Sequence, residues 1–236
     1  MRKHQIRDDW NAPDVERYVE TIPLKIAGYE LLYDMTARLM KAGLAERNTA
    51  AELLIVGAGG GQELVTLGAF EPQWRFTALD PSQPMLAIAK KRTENVNLSH
   101  RVCFMNGTPE QLPSEAIYDG ATCLLVLHFL KERTEKRQFL AQIAARLKPG
   151  APFFLASING NSGSPAFSVQ MNAWKSHMTA HGISAETFDQ FAASIGNRTF
   201  PVNGRAIASL LADCGFTNIS RYFGSYLIES FIAFKK

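Results

Sequence analysis

The chain has 236 residues, 46% of them hydrophobic and 20% charged, with a formal net charge of +3 at pH 7. That length suits one α/β domain with an elaboration or at most two small domains, and the apolar content can fill a substantial core. No apolar run reaches membrane-spanning length, and the three cysteines (Cys103, Cys123, Cys214) show no C-x-x-C spacing, which argues against a disulfide framework and a cysteine-built zinc site.

Residues 1–9 are polar and charged and lead into no apolar segment, so they do not read as a signal peptide, and the chain reads as cytoplasmic. The region 1–48 reads as an N-terminal helical cap. Ile26, Tyr29, Leu32, Tyr33, Thr36 and Leu39 recur near a helical period, with Leu31 and Met35 widening the stripe. Pro13 and Pro23 punctuate this cap, and Gly43 ends its last helix. These helices could cover a site or form a homodimer contact.

From Glu52 onward strand and helix signals alternate. Apolar runs at 53–56, 75–79, 102–105, 121–127 and 153–157 read as buried strands. Between them lie helix candidates: Gln62 to Phe70, then a helix capped by Ser82 with Pro84 in its first turn, then one carrying Phe139, Leu140, Ile143 and Leu147 and stopped by Pro149-Gly150. Strands that are apolar throughout and alternate with helices predict a parallel sheet covered on both faces, over a core spanning 49–157.

Residues 158–203 break this rhythm. Within 158–197 only Lys175, Glu186 and Asp189 carry a formal charge, and a Gly/Ser/Asn-rich loop leads into one or two helical segments. A packed helical insertion accounts for this composition. Its place after a sheet strand favours a lid over the substrate pocket. In 204–236 a helix from Arg205 to Ala212 precedes two strands that pair as an antiparallel edge hairpin, turned at Gly224-Ser225.

The most informative stretch is Leu53-Leu54-Ile55-Val56-Gly57-Ala58-Gly59-Gly60-Gly61, followed by Asp80 at the end of the next apolar run. Glycines let backbone turn sharply and approach a ligand where a Cβ would clash, and an acid ending the next strand can accept hydrogen bonds from both ribose hydroxyls. The dinucleotide spacing G-x-G-x-x-G fails, because its third glycine would fall at Gln62 or Leu64, and no Gly-Lys-Ser/Thr follows as a P-loop would require. A nucleoside other than a nicotinamide dinucleotide is therefore expected.

The spacing Gly57, Gly59, Gly61 resembles the first motif of class I S-adenosylmethionine-dependent methyltransferases. Further motifs follow in that family's order: Leu79-Asp80-Pro81-Ser82-Gln83-Pro84-Met85, Asn106-Gly107-Thr108-Pro109, Tyr118-Asp119 with Leu125-Val126-Leu127-His128-Phe129-Leu130, and Leu147-Lys148-Pro149-Gly150. The resemblance implies a Rossmann-like sheet, seven-stranded and mostly parallel, in the order third, second, first, fourth, fifth, seventh, sixth, with an antiparallel last strand. It implies S-adenosyl-L-methionine as cofactor and S-adenosyl-L-homocysteine as product. Gly57, Ala58, Gly59 and Gly61 would meet the methionine part, Asp80 the ribose, and Pro81, Met85, Gly107 and Thr108 the adenine. Leu125 and Val126 would flank the transferring methyl. Met85 also suits plain helix core.

Two positions depart from the family pattern. Ile55 stands where an acid often helps orient the methionyl amino group, and Thr108 where an acid often meets the adenine rim; Glu63 could take over the first role. The flanks, among them 23–29 and 212–216, resemble the carboxy-S-adenosylmethionine synthases of tRNA wobble-uridine modification. Their carboxylate-binding arginine aligns with Ala192, so ordinary S-adenosylmethionine is expected.

The leading expectation is methyl transfer to a small-molecule acceptor; nucleic acid is permitted but not indicated. The synthase chemistry and a non-catalytic cofactor-binding module are the alternatives. His128, His177 and His181 are candidate bases, although His128 also suits a satisfied strand-end histidine. His177 and His181 share a helix face but lack a third ligand, so no metal is expected.

Overall fold

The computed structural model describes residues 15–45, 50–115 and 117–236. Pro13 and the charged stretch 1–9 lie outside the described residues. Two helices, α1 (Val15–Lys25) and α2 (Tyr29–Leu44), precede the sheet. Strands β1 (Glu52–Val56), β2 (Arg75–Asp80), β3 (Val102–Asn106), β4 (Gly120–Leu124) and β5 (Pro152–Ile158) then alternate with α3 (Gln62–Phe70), α4 (Gln83–Asn95) and α5 (Arg133–Ala144). Helices α6 (Pro165–Ala180), α7 (Ala185–Ser194) and α8 (Gly204–Asp213) follow, and strands β6 (Phe216–Ser225) and β7 (Ile228–Lys235) close the chain.

The sheet has seven strands in the order β3-β2-β1-β4-β5-β7-β6. The first five pair in parallel, whereas β7 runs antiparallel to both β5 and β6. Successive side chains of β1 feed opposite faces, as the pleat dictates. Leu53 and Ile55 join an apolar cluster with α2 and α3, while Leu54 and Val56 join one with α5 and α8. The sheet is thereby covered on both faces, which is why its strands carry apolar residues throughout. This is the Rossmann-like methyltransferase architecture.

Local chemistry sets the helix starts. Ser82 Oγ accepts from the Met85 N–H with proline in the first turn of α4, and Ser164, Ser184 and Asn203 cap α6, α7 and α8 in the same way. Gly61, with φ of 80°, starts α3 without a side-chain cap.

Several boundaries differ from the sequence reading. Pro23 lies inside α1 rather than ending it. Gly43 lies within α2, where a Cβ would already touch the Pro152 ring at 3.4 Å, so its smallness serves helix–strand approach. Leu31 stands 53% exposed, outside the buried stripe. Strand β4 stops at Leu124 because Leu125 takes a φ of 63°, and Leu127–Phe129 forms a 3-10 turn. The hairpin turns at Tyr226-Leu227 instead of Gly224-Ser225. There, Leu227 is buried and its carbonyl accepts from the Asn159 N–H at 2.6 Å, so packing overrides the glycine signal.

Candidate active site

The turn after β1 shows why glycines occupy it. A Cβ on Gly57 would lie 2.2 Å from Val126 Cγ2, one on Gly60 would lie 2.5 Å from Val19 Cγ2, and one on Gly61 would meet the Ala89 Cβ at 2.9 Å. The N–H groups of Gly57 and Ala58 both donate to the Leu79 carbonyl, at 2.8 and 3.0 Å, which fixes the turn against the end of β2. Arg92 reaches back from α4 to donate to the Gly60 carbonyl and the Gln62 side chain.

Asp80, the last residue of β2, completes this arrangement. Its Oδ2 accepts from the Gly59 N–H and its Oδ1 from the Ser82 N–H, both at 2.8 Å. The carboxyl is 8% exposed, and burial raises its pKa against the pull of those two backbone donors. A carboxylate offers about four lone-pair sites. Two backbone donors therefore orient Asp80 while leaving acceptor capacity for a ligand.

Around the turn opens a cavity of about 1020 Å³, mouth included. Gly57, Ala58, Gly59, Asp80, Pro81, Met85, Gly107, Thr108, Leu125 and Val126 all border it. Gly61 does not; its place is against Ala89 at the start of α3. Met85 is both helix core, at 4% exposure, and cavity wall. At the rim, the Thr108 N–H donates to Gln111 Oε1 at 2.8 Å, and the Gly107 N–H donates to the Asp80 carbonyl. Leu125 holds a left-handed backbone, uncommon outside glycine, with its N–H on the Ala156 carbonyl at 2.7 Å.

Apart from Glu63, the remaining wall comes from residues that the sequence did not mark as a site. Tyr18, Val19 and Ile22 of α1 and Tyr29 and Tyr33 of α2 border the cavity, as do Phe129, Leu130 and Phe139 on another side. Glu63, in the first turn of α3, borders it too and is buried. Burial first, with the Asp80 carboxylate also contributing, pushes the Glu63 pKa up to about 8. The helical period of Tyr29 and Tyr33 was visible in the sequence, but core and cavity walls share that period.

None of the three histidines borders the cavity. His128 is buried, and its Nδ1 accepts from the Ile158 N–H at 3.2 Å. Burial and then Lys136 push its pKa down to about 3, so it is a neutral structural acceptor at neutral pH. His177 of α6 and His181 at its C-cap have ring centroids 4.1 Å apart at a tilt of 36°, and His177 faces Tyr226. Among the described residues no cluster suited to a metal occurs.

No residue of the insertion is among those that border the cavity. Trp174 Nε1 donates to the Lys25 carbonyl at 2.6 Å and its ring meets Phe191 edge-on. Ala192 packs partly buried against the apolar cluster and borders no part of the cavity.

Residues 54–153 match the family model described as a methyltransferase domain. Over this core the chain is similar to the methyltransferase domain family. The match spans the glycine turn, Asp80 and the β4 exit. The chain is also 26% identical over 108 residues to a ubiquinone biosynthesis O-methyltransferase of Rickettsia akari, an alignment covering 46% of this chain and 40% of that protein. It thus spans well under half the length of that curated relative. Among solved structures, an O-methyltransferase family protein from Burkholderia thailandensis superposes with a TM-score of 0.58 at 18% identity, covering 94% of this chain and 63% of that one. The carbon methyltransferase CurJ superposes with a TM-score of 0.68 at 14% identity, covering 95% of this chain and 59% of that one. At these identities the structures speak for the fold. The methyltransferase domain implies S-adenosylmethionine as methyl donor, and the chemistry of the wall fits it, with an oriented acidic acceptor for ribose, close backbone at the glycine turn and an apolar rim. Among the described residues no helix is long and apolar enough to cross a membrane.

Proposed function

We propose that this protein is an S-adenosylmethionine-dependent methyltransferase acting on a small-molecule acceptor. The observation that carries the reading is the convergence of the glycine turn and the Asp80 carboxylate in one cavity. When bound, the cofactor supplies a methyl group already activated as a sulfonium. The protein's task is then to position the acceptor and exclude water.

In this reading Asp80 accepts from the ribose hydroxyls with the lone pairs that Gly59 and Ser82 leave open. Gly57, Ala58 and Gly59 present backbone to the methionine part, and Pro81, Met85, Gly107 and Thr108 line the adenine side. Leu125 and Val126 border the reacting methyl. The acceptor lies toward Phe129, Leu130 and Phe139, which suits an apolar or aromatic molecule more than nucleic acid. We extend the reading to a cytoplasmic enzyme, supported by three cysteines that are all unpaired. The exposed Leu24 and Leu31 of α1 and α2 support the homodimer contact expected of the cap.

Native mass spectrometry followed by calorimetric titration with S-adenosylmethionine and S-adenosylhomocysteine tests the site. Micromolar binding of either is expected, and methyl transfer is then sought across a panel of hydroxylated aromatic and aliphatic acceptors. No binding at millimolar ligand overturns the proposal.

A further inference from the structure

The segment that leaves β4 carries part of the cavity wall on irregular backbone. Leu125, Val126, Phe129 and Leu130 all border the cavity, and Leu125 opens the segment in its left-handed conformation. Leu127–Phe129 then makes a single 3-10 turn. A turn this short leaves carbonyls at its end that need donors from elsewhere.

One side chain supplies them. Lys136 of α5 is almost wholly buried, and its Nζ donates to the Leu127, Leu130 and Phe200 carbonyls at 2.9, 2.6 and 3.1 Å. An ammonium has three protons, and here each meets a carbonyl. The Phe200 N–H donates in turn to the His128 carbonyl at 2.7 Å, and the Ile158 N–H to His128 Nδ1. The cavity-lining turn, α5 and the chain returning towards α8 therefore meet at one buried charge. Burial pushes the Lys136 pKa down to about 8, with Glu135 acting the other way, so keeping an ammonium here is costly. An apolar side chain could fill the same space without a charge, but it could not direct three carbonyls to one point.

Resting on the acceptor placement proposed above, we propose that Lys136 is a positioning residue for the acceptor wall, holding Phe129 and Leu130 in place through the carbonyls of Leu127 and Leu130. Lys136 does not itself border the cavity. The glycine turn and Asp80 are fixed by separate hydrogen bonds, to the Leu79 carbonyl and from the Gly59 and Ser82 N–H groups. Loss of the lysine is therefore felt at the acceptor end of the cavity and not at the donor end. Because it acts through the Phe129 wall, its effect merges with that of removing the ring.

The test is calorimetry on the full chain, first with S-adenosylhomocysteine and then, at saturating S-adenosylhomocysteine, with indole as a neutral aromatic probe. The unsubstituted chain should bind both. Lys136→Met should lose roughly 5- to 100-fold in affinity for indole and stay within about twofold for S-adenosylhomocysteine. Phe129→Ala should also weaken indole binding, and adding Lys136→Met to it should cost little more. Gly182→Ala strains backbone in open space and should leave both affinities unchanged, which separates positioning from a general loss of stability. Lys136→Gln is read in the same way should Lys136→Met not fold. Unchanged indole affinity in Lys136→Met, equal losses for the two ligands, or full additivity with Phe129→Ala overturns the role of Lys136 alone. Binding of S-adenosylhomocysteine without indole, or indole binding indifferent to Phe129→Ala, overturns the acceptor placement and this role together. Failure to bind S-adenosylhomocysteine overturns the donor site as well.

Discussion

Gly57→Ala probes two separable penalties at the heart of the site. The first is conformational. Gly57 has a φ of 73°, and an L side chain held in the left-handed region costs about 1–2 kcal/mol. The second is steric. The new Cβ would sit 2.2 Å from Val126 Cγ2, far inside contact distance, and forcing an extra methyl into such packing costs about 1–3 kcal/mol. Gly182 isolates the first penalty, since it has a φ of 85° with nothing within 4 Å of its would-be Cβ. At about 2–4 °C per kcal/mol for a chain of this size, Gly182→Ala should lower Tm by roughly 2–8 °C, and Gly57→Ala by roughly 2–12 °C more. Differential scanning calorimetry of Gly57→Ala, Val126→Ala and the double variant forms a cycle. The double variant should recover the steric share, giving a coupling of about 1–3 kcal/mol, and keep the conformational one. Should Gly57→Ala melt no lower than Gly182→Ala, or Val126→Ala give no rescue, the close-approach account of this turn is wrong.

Asp80→Ala removes the acceptor shared by the Gly59 and Ser82 N–H groups, and should weaken S-adenosylhomocysteine binding at least about tenfold in a folded protein; unchanged affinity by calorimetry would remove Asp80 from the site. His128 has its folded pKa depressed to about 3, below its unfolded value of about 6.5, so its contribution to stability is present above pH 6.5 and declines as pH falls toward 3. Urea midpoints should fall over that window, and fall less in His128→Asn, whose amide oxygen can still accept from Ile158. Lys136 is buried with Nζ donating to the carbonyls of Leu127, Leu130 and Phe200 at 2.9, 2.6 and 3.1 Å. Lys136→Met leaves those carbonyls short of a donor and should cost about 1–3 kcal/mol in urea denaturation; a neutral result would mean that burying the ammonium already cancels its hydrogen bonds.

The sequence by itself determined the parts of this protein that rest on short-range physics. Apolar runs separated by capped helices sufficed for a parallel sheet covered on both faces, while its strand order came from the family resemblance. The glycine turn and Asp80 were legible for the same reason: tight backbone and a strand-end acid are needed within a few residues of each other. What only the tertiary structure decided was which side chains share a wall. Tyr29 and Tyr33 carry the same helical period whether they meet core or cavity, so their place on the cavity appears only once α2 is laid against the sheet. His128, His177 and His181 looked reactive by residue type. Yet His128 serves the Ile158 N–H, and the other two lie on an insertion that packs beside the site. Glu63 was named from the sequence only as a replacement for the acid missing at Ile55; its burial beside Asp80 is what the tertiary structure added.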